Sequence, residues 1–220
     1  MKIKLNSLTG LFLSAAAAVL IAGCASSGYK KGDEVASNIQ KAADQINALN
    51  PQIDKTMAAL NKLTSASQGD LAPLFKDYSK ELDKLKSQAQ DVVAIRKKMA
   101  ESGDAFLTAW DAQLAQIKNE DLKSRSEARR NEVKNQLTEI KRSYTEAATQ
   151  FKAFGDELLD LQKYLSVDLT TGGLASIKNT VDKLNKEAGP LKEAVAKVGA
   201  QFQALGVSMA SSAPAPAPAK

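Results

Sequence analysis

The sequence predicts an all-α protein, an elongated up-and-down antiparallel four-helix bundle or coiled coil. Four runs of apolar residues step by alternate threes and fours, which places each set on one seam of a long helix that needs partner helices. Turn-forming residues separate the runs, and no alternating strand pattern competes with them.

The first run reads Val35, Ile39, Ala42, Ile46, Leu49, Ile53, Thr56, Leu60 and Leu63. The second passes from Tyr78, Leu82 and Leu85 through Val92, Arg96, Met99 and Gly103 to Phe106, Trp110 and Leu114. The third is unbroken from Val133 through Ile140, Tyr144, Phe151 and Leu158 to Leu165, and the fourth extends from Leu174 and Ile177 through Leu191 to Phe202 and Leu205. Breaks at Ser65–Asp70, Lys118–Asp121 and Val167–Gly173 supply three short connections, and four helices so joined run antiparallel. At the rise of an α-helix the four measure roughly 50, 70, 65 and 50 Å, so the tip between the second and third, near Asn119, projects past the others.

Two prolines interrupt the runs, in Asn50-Pro51 and Gly189-Pro190. Proline removes a helical hydrogen bond, yet the heptad phase passes both sites unshifted, which predicts kinked but continuous helices. The alternative is that Asn50 caps a new helix starting at Pro51. Arg96 and Gly103 are polar or small in an apolar seam and are expected where the bundle is thin and solvent enters. Gly103, Gly189 and Gly199 are the expected loose points should the bundle open for a ligand.

Ahead of the bundle, Lys2 and Lys4 precede an apolar segment from Leu8 to Ile21 and small residues before Cys24, the only cysteine. That order is a secretory signal peptide, and its apolar part falls short of the ~20 residues of a spanning helix. Ile21-Ala22-Gly23-Cys24 resembles the bacterial lipobox, whose cysteine is acylated and becomes the new N-terminus. This implies residues 1–23 as signal peptide, 24–30 as a lipid-anchor linker, 31–208 as the helical domain and 209–220 as an Ala/Pro-rich disordered tail. Ala25 and Ser26 follow the cysteine with no aspartate, which under the Gram-negative sorting logic points to the outer membrane, facing the periplasm.

Composition removes most enzymatic chemistry. There is no histidine, the one cysteine belongs to the lipobox, and the +5 formal charge loses Lys2 and Lys4 with the signal peptide. No catalytic residue, metal site, cofactor or nucleic-acid partner is expected. Carboxylate neighbours such as Glu120 with Asp121 and Asp156 with Glu157 read as solvated helix faces.

Near the tip, Lys123, Arg125, Arg129 and Arg130 are candidates for contact with an anionic surface, because the tip is expected on the anchor side, within reach of a ~20 Å linker. The tail, Ser211–Lys220, favours an extended polyproline conformation. Its final lysine resembles that of peptidoglycan-linked lipoproteins, making Lys220 a candidate tether.

"YKKGDE", "AFLTAWDAQLAQIKNEDLKSRSEARRNEVK" and "LLDLQKYLSVDLTTGGLASI" resemble an uncharacterised bacterial family of helical proteins, the domain-of-unknown-function family 2959. The carrying residues are Phe106, Trp110, Leu114, Asn119, Leu122, Ser126 and Arg129. The resemblance implies a long helical coiled-coil protein in which Trp110 and Arg129 pack and turn beside the tip, and it lends no activity. The resulting expectation is a lipid-anchored envelope protein, attached to the membrane through Cys24, with a structural, scaffolding or partner-binding role. The alternatives are a bundle that binds a lipid or other apolar ligand, and an outer-membrane-to-peptidoglycan tether.

Overall fold

The computed structural model describes residues 27–66 and 69–210. Among these the helices are α1 (Ser27–Asn47), α2 (Leu49–Thr64), α3 (Ala72–Leu114), α4 (Glu120–Val167), α5 (Thr171–Ser176) and α6 (Lys178–Met209), with no strand. α1 with α2 forms the first leg, α3 the second, α4 the third, and α5 with α6 the fourth. Each leg packs on the next and the fourth packs on the first, the up-and-down bundle that the heptads predict.

The first leg departs from the continuous helix expected. It divides at Ala48, which keeps helical dihedrals (φ −68, ψ −16). Pro51 has no N–H for the Asn47 carbonyl and disfavours helical geometry in the residue before it, so the ladder opens just upstream. Asn50 does not cap a new helix; its Nδ2 donates to the Lys192 carbonyl across the bundle at 3.0 Å. Pro190 stays inside α6, as the heptad phase predicts, but the fourth leg has a further division at Ile177. There Thr170 caps the short α5, its Oγ1 accepting from Gly173 N at 3.0 Å.

At the far end of the bundle Gly69, with φ 105, turns the chain, and Asp70 Oδ1 accepts from Ala72 N at 3.0 Å to start α3. At the other end Asn119 caps α4 by accepting from Leu122 N at 3.1 Å, and Glu120 and Asp121 occupy its first turn. Carboxylates there face the positive end of the helix dipole, which supports their reading as a solvated helix start.

A Cβ added to Gly32 would lie 3.6 Å from the Phe106 ring and 3.9 Å from the Met209 carbonyl, so the start of α1 and the ends of α3 and α6 share one end. The α3–α4 tip therefore sits at the same end of the bundle as the start of α1. Past that level α3 continues to Leu114 and α4 begins back at Glu120, so the tip projects by roughly 12 Å.

Ile39, Ile53, Leu60, Leu85, Leu158, Leu184 and Leu205 are among the side chains that fill the core. Between α2 and α3 a buried polar cluster fixes register. Gln52 Nε2 donates to both the carbonyl and Oε2 of Glu81 at 2.9 Å, and Thr56 Oγ1 lies 2.8 Å from the Gln52 carbonyl. The α1–α6 seam is closed by small residues instead: Ala36, Ala43, Gly199 and Gly206 are all buried. A Cβ on Gly206 would lie 3.0 Å from Gln40 Cγ and 3.3 Å from the Ala36 carbonyl, and one on Gly199 would collide with the Asn47 side chain. Gly199, expected as a loose point, is a point of closest approach. Gly103 is buried too, but a Cβ added there would meet Leu137 only in ordinary contact at 3.5 Å, whereas Arg96 is exposed as expected.

Candidate ligand-binding cleft

The seam between α3 and α4 does not close. Their heptad residues Leu85, Val92 and Met99, and Ile140, Ala147 and Phe154, turn inward toward the other two legs. The heptad positions between them, Ala89 on α3 and Phe151 on α4, together with Val93, Ala148 and Gly155 beside the stripes, line a cleft. Cross-seam bonds hold it at both ends. Tyr78 Oη donates to the Leu158 carbonyl at 2.6 Å beyond its far end. Toward the tip, Trp110 Nε1 donates to Ser126 Oγ at 2.9 Å and Arg130 pairs with Asp111 at 2.6 Å.

Three adjoining cavities make up the cleft. Farthest from the tip is one of about 320 Å³ between Leu82, Ala89 and Val93 and Phe151, Gly155 and Leu159. The middle one, about 370 Å³, shares Ala89, Val93 and Phe151 with it and reaches down to Ile46, Leu49, Val195 and Val198. The third, about 280 Å³, shares Tyr144 with the middle cavity and extends past Gly103 to Leu107. Each alone is near the lower end of the ~300–1,000 Å³ of ligand sites, and together they pass well inside it.

Charge is unevenly distributed along the cleft. Arg96, Lys134 and Lys141 line the tip-side cavity with Asp104 as its one acid. Lys152 is the only charged residue of the middle cavity and is paired with Asp156 at 2.5 Å. The Arg96 guanidinium lies over the Tyr144 ring, 5.1 Å from its centroid, forming a crossbar between the two helices. Burial pushes the Tyr144 hydroxyl pKa up, and the Arg96 charge opposes that shift.

Most of the tip cations are held in ion pairs, two of them at the three- and four-residue spacing of a solvated helix face. Arg125 pairs with Asp121 at 3.0 Å, Arg130 with Asp111, and Arg129 both with Glu132 at 2.6 Å and, through Nη2, with the Ser208 carbonyl at 2.9 Å. Arg129 thus ties α4 to the end of α6. Lys123 lies by the tip near Asp111 and Arg130, with no carboxylate in ion-pair range among the described residues. Trp110 is partly buried rather than a full core anchor, its ring meeting Phe106 edge-on at 5.4 Å. Asp156 and Glu157 pair with Lys152 and Lys183 as surface carboxylates do.

Cys24 and Lys220 lie outside the described residues. Among the described residues no cluster of His, Cys, Asp or Glu is placed to hold a metal, and no helix is long and apolar enough to cross a membrane. Of the cleft's lining, Gly103 was expected as an opening for a ligand, but the α3–α4 seam itself was not foreseen as a site. Its one exposed large apolar residue, Val93, sits beside the heptad position Val92, where a polar residue is the norm for a solvated face.

The fold defines a class: a long antiparallel bundle with an open, apolar-walled seam between α3 and α4 and no assembled catalytic group among the described residues. The family described as a protein of unknown function (DUF2959) matches residues 22–204, and the chain belongs to that family. Comparisons with curated proteins and with solved structures give no match.

Proposed function

We propose that this is a lipid-anchored envelope protein, held at the periplasmic face of the outer membrane through Cys24. It acts by binding and not by catalysis, and takes an apolar, lipid-like ligand between α3 and α4. The observation that carries the reading is the open seam between the two longest helices. Apolar surface left in contact with water forgoes about 25 cal/mol per Å² of stabilisation, so a bundle serving only as a spacer gains by closing that seam. The lipobox supports the address, and the tip's place at the end where α1 starts is consistent with a cleft facing the membrane. Absence of histidine, with the one cysteine in the lipobox, supports a non-catalytic role.

Native mass spectrometry of the protein, released gently from membranes, tests the binding. Lipid should co-purify; its complete absence, with no uptake of an environment-sensitive dye, overturns the ligand reading. For the address, globomycin should cause the lipidated, unprocessed precursor to accumulate. A Cys24→Ala protein that is processed and fractionates like the unaltered one overturns the anchor.

A further inference from the structure

We propose that the cleft holds a phosphate-headed lipid, its headgroup between Arg96 and Lys141 and its acyl portion over Val93, Ala148 and Phe151. This deepens the ligand reading above and rests on it.

The first support is the polarity gradient. The tip-side cavity carries three cations and one acid, whereas the middle cavity is walled by aliphatic and aromatic side chains, its single lysine already paired. An occupant with one anionic end and one apolar end matches that order. A wholly apolar ligand would leave the cations unused, and a soluble anion would leave the apolar walls wet.

The second support is the state of Arg96. Of the five arginines, Arg125, Arg129, Arg130 and Arg142 each have a carboxylate partner. Arg96 has none among the described residues and rests on the Tyr144 ring instead. Among the described residues Lys134 and Lys141 also lack a carboxylate within ion-pair distance. An exposed cation on an aromatic face is weakly held and can be taken over by an anion.

Register supplies the third support. Because α3 and α4 run antiparallel with Arg96 facing Tyr144, Lys141 lies about one helical turn away, roughly 5 Å along the axis. A forked guanidinium and an ammonium at that spacing suit the several oxygens of a phosphate better than the two of a carboxylate. Lys134, two turns further toward the tip, adds positive potential at the mouth.

The test uses the full-length protein, stripped of co-purified lipid and offered vesicles containing photoreactive phosphatidylglycerol with a diazirine in mid-chain. Parallel arms use photoreactive phosphatidylcholine and a photoreactive fatty acid. Crosslinks are expected in peptides covering 89–99 and 144–152, strongest for phosphatidylglycerol and weakened by salt. Arg96→Gln with Lys141→Gln should cut phosphatidylglycerol capture about tenfold, as expected for loss of two charge-assisted contacts, and phosphatidylcholine capture by less, because its phosphate can enter the same site but its choline faces the same cations. Both side chains are exposed, so the variant should melt as the unaltered protein does. Ala148→Trp, which fills the middle cavity from its rim, should reduce capture of every lipid. Equal phosphatidylglycerol capture by the double variant overturns the headgroup site while leaving the ligand reading standing. Fatty acid captured as well as phosphatidylglycerol overturns the phosphate assignment. No crosslink in the cleft from any arm overturns the ligand reading itself, and the headgroup site with it.

Discussion

The α1–α6 seam and the α3–α4 seam are both antiparallel helix pairs rich in small residues, yet one is closed and the other is open. Ala36, Ala43, Gly199 and Gly206 bring α1 and α6 so close that a single added Cβ at Gly206 would press on Gln40, Ile39 and the Ala36 carbonyl. Across the other seam, Ala89, Ala147, Ala148 and Gly155 line unfilled room, and a Cβ at Gly155 would meet nothing within 4 Å. The difference lies in what flanks the small residues. Tyr144, Phe151 and Leu159 stand beside them on α4, and the bonds from Tyr78 and Trp110 fix the spacing at both ends. Small residues close a seam only where their neighbours also let the backbones approach; between bulky neighbours they become the walls of a cleft.

The largest effect should come from forcing the closed seam apart. Gly206→Leu adds a side chain where one carbon already touches three neighbours, and overpacking of this kind should destabilise by about 3 kcal/mol. Urea titration followed by circular dichroism measures it. An unchanged midpoint would mean that α1 and α6 are not in close contact in solution.

Next comes the fastening of the open seam. Tyr78→Phe removes the buried hydroxyl that donates to the Leu158 carbonyl and should cost about 1 kcal/mol. The carbonyl keeps its helical partner, which limits the loss. The same hydroxyl makes stability fall with alkali. Burial pushes its pKa up from the ordinary 10.0, so the unfolded chain gives up this proton at lower pH than the native one. The contribution is fully present below about pH 10 and is lost as pH rises beyond it. A melting series from pH 8 to 11 should show a steeper alkaline decline for the unaltered protein than for Tyr78→Phe. Parallel curves would count against a buried Tyr78.

How legible all this was differs between the two seams. The heptads gave the legs, their order and the long central pair, because a repeat near 3.5 states which stripe of each helix turns inward. Pro51 was visible, but not the point at which the ladder would open, since that depends on which carbonyl loses its donor. The tip's location at the end where α1 starts followed from counting legs. The closed seam was misread at Gly199, since glycine signals either looseness or close approach and only the facing residue, Asn47, decides. The cleft was hidden because periodicity says which face is inward and not whether two inward faces meet. Val93, next to Val92, was the available clue. Pairing of Arg125 with Asp121 and of Arg129 with Glu132 was legible as helical spacing of four and three, whereas the contacts of Arg130 with Asp111 and of Arg129 with Ser208 were hidden, because those partners are distant in sequence.

The smallest effect gives the most direct contrast between the seams. In α4, Gly155 has ordinary helical neighbours, open space where its side chain would be, and a place on the cleft wall. Gly155→Ala should raise stability by about 0.5–1 kcal/mol, because alanine loses less backbone freedom on folding and nothing obstructs its methyl group. The gain depends on the seam being open in solution. If α3 and α4 instead close as tightly as α1 and α6, the added methyl meets the opposite helix and the substitution destabilises. A midpoint shift in urea with two-state slopes unchanged reads the sign. A positive shift from Gly155→Ala together with a negative one from Gly206→Leu means that the seams differ in solution. Two negative shifts would mean that the cleft collapses there, and the ligand reading would fail with it.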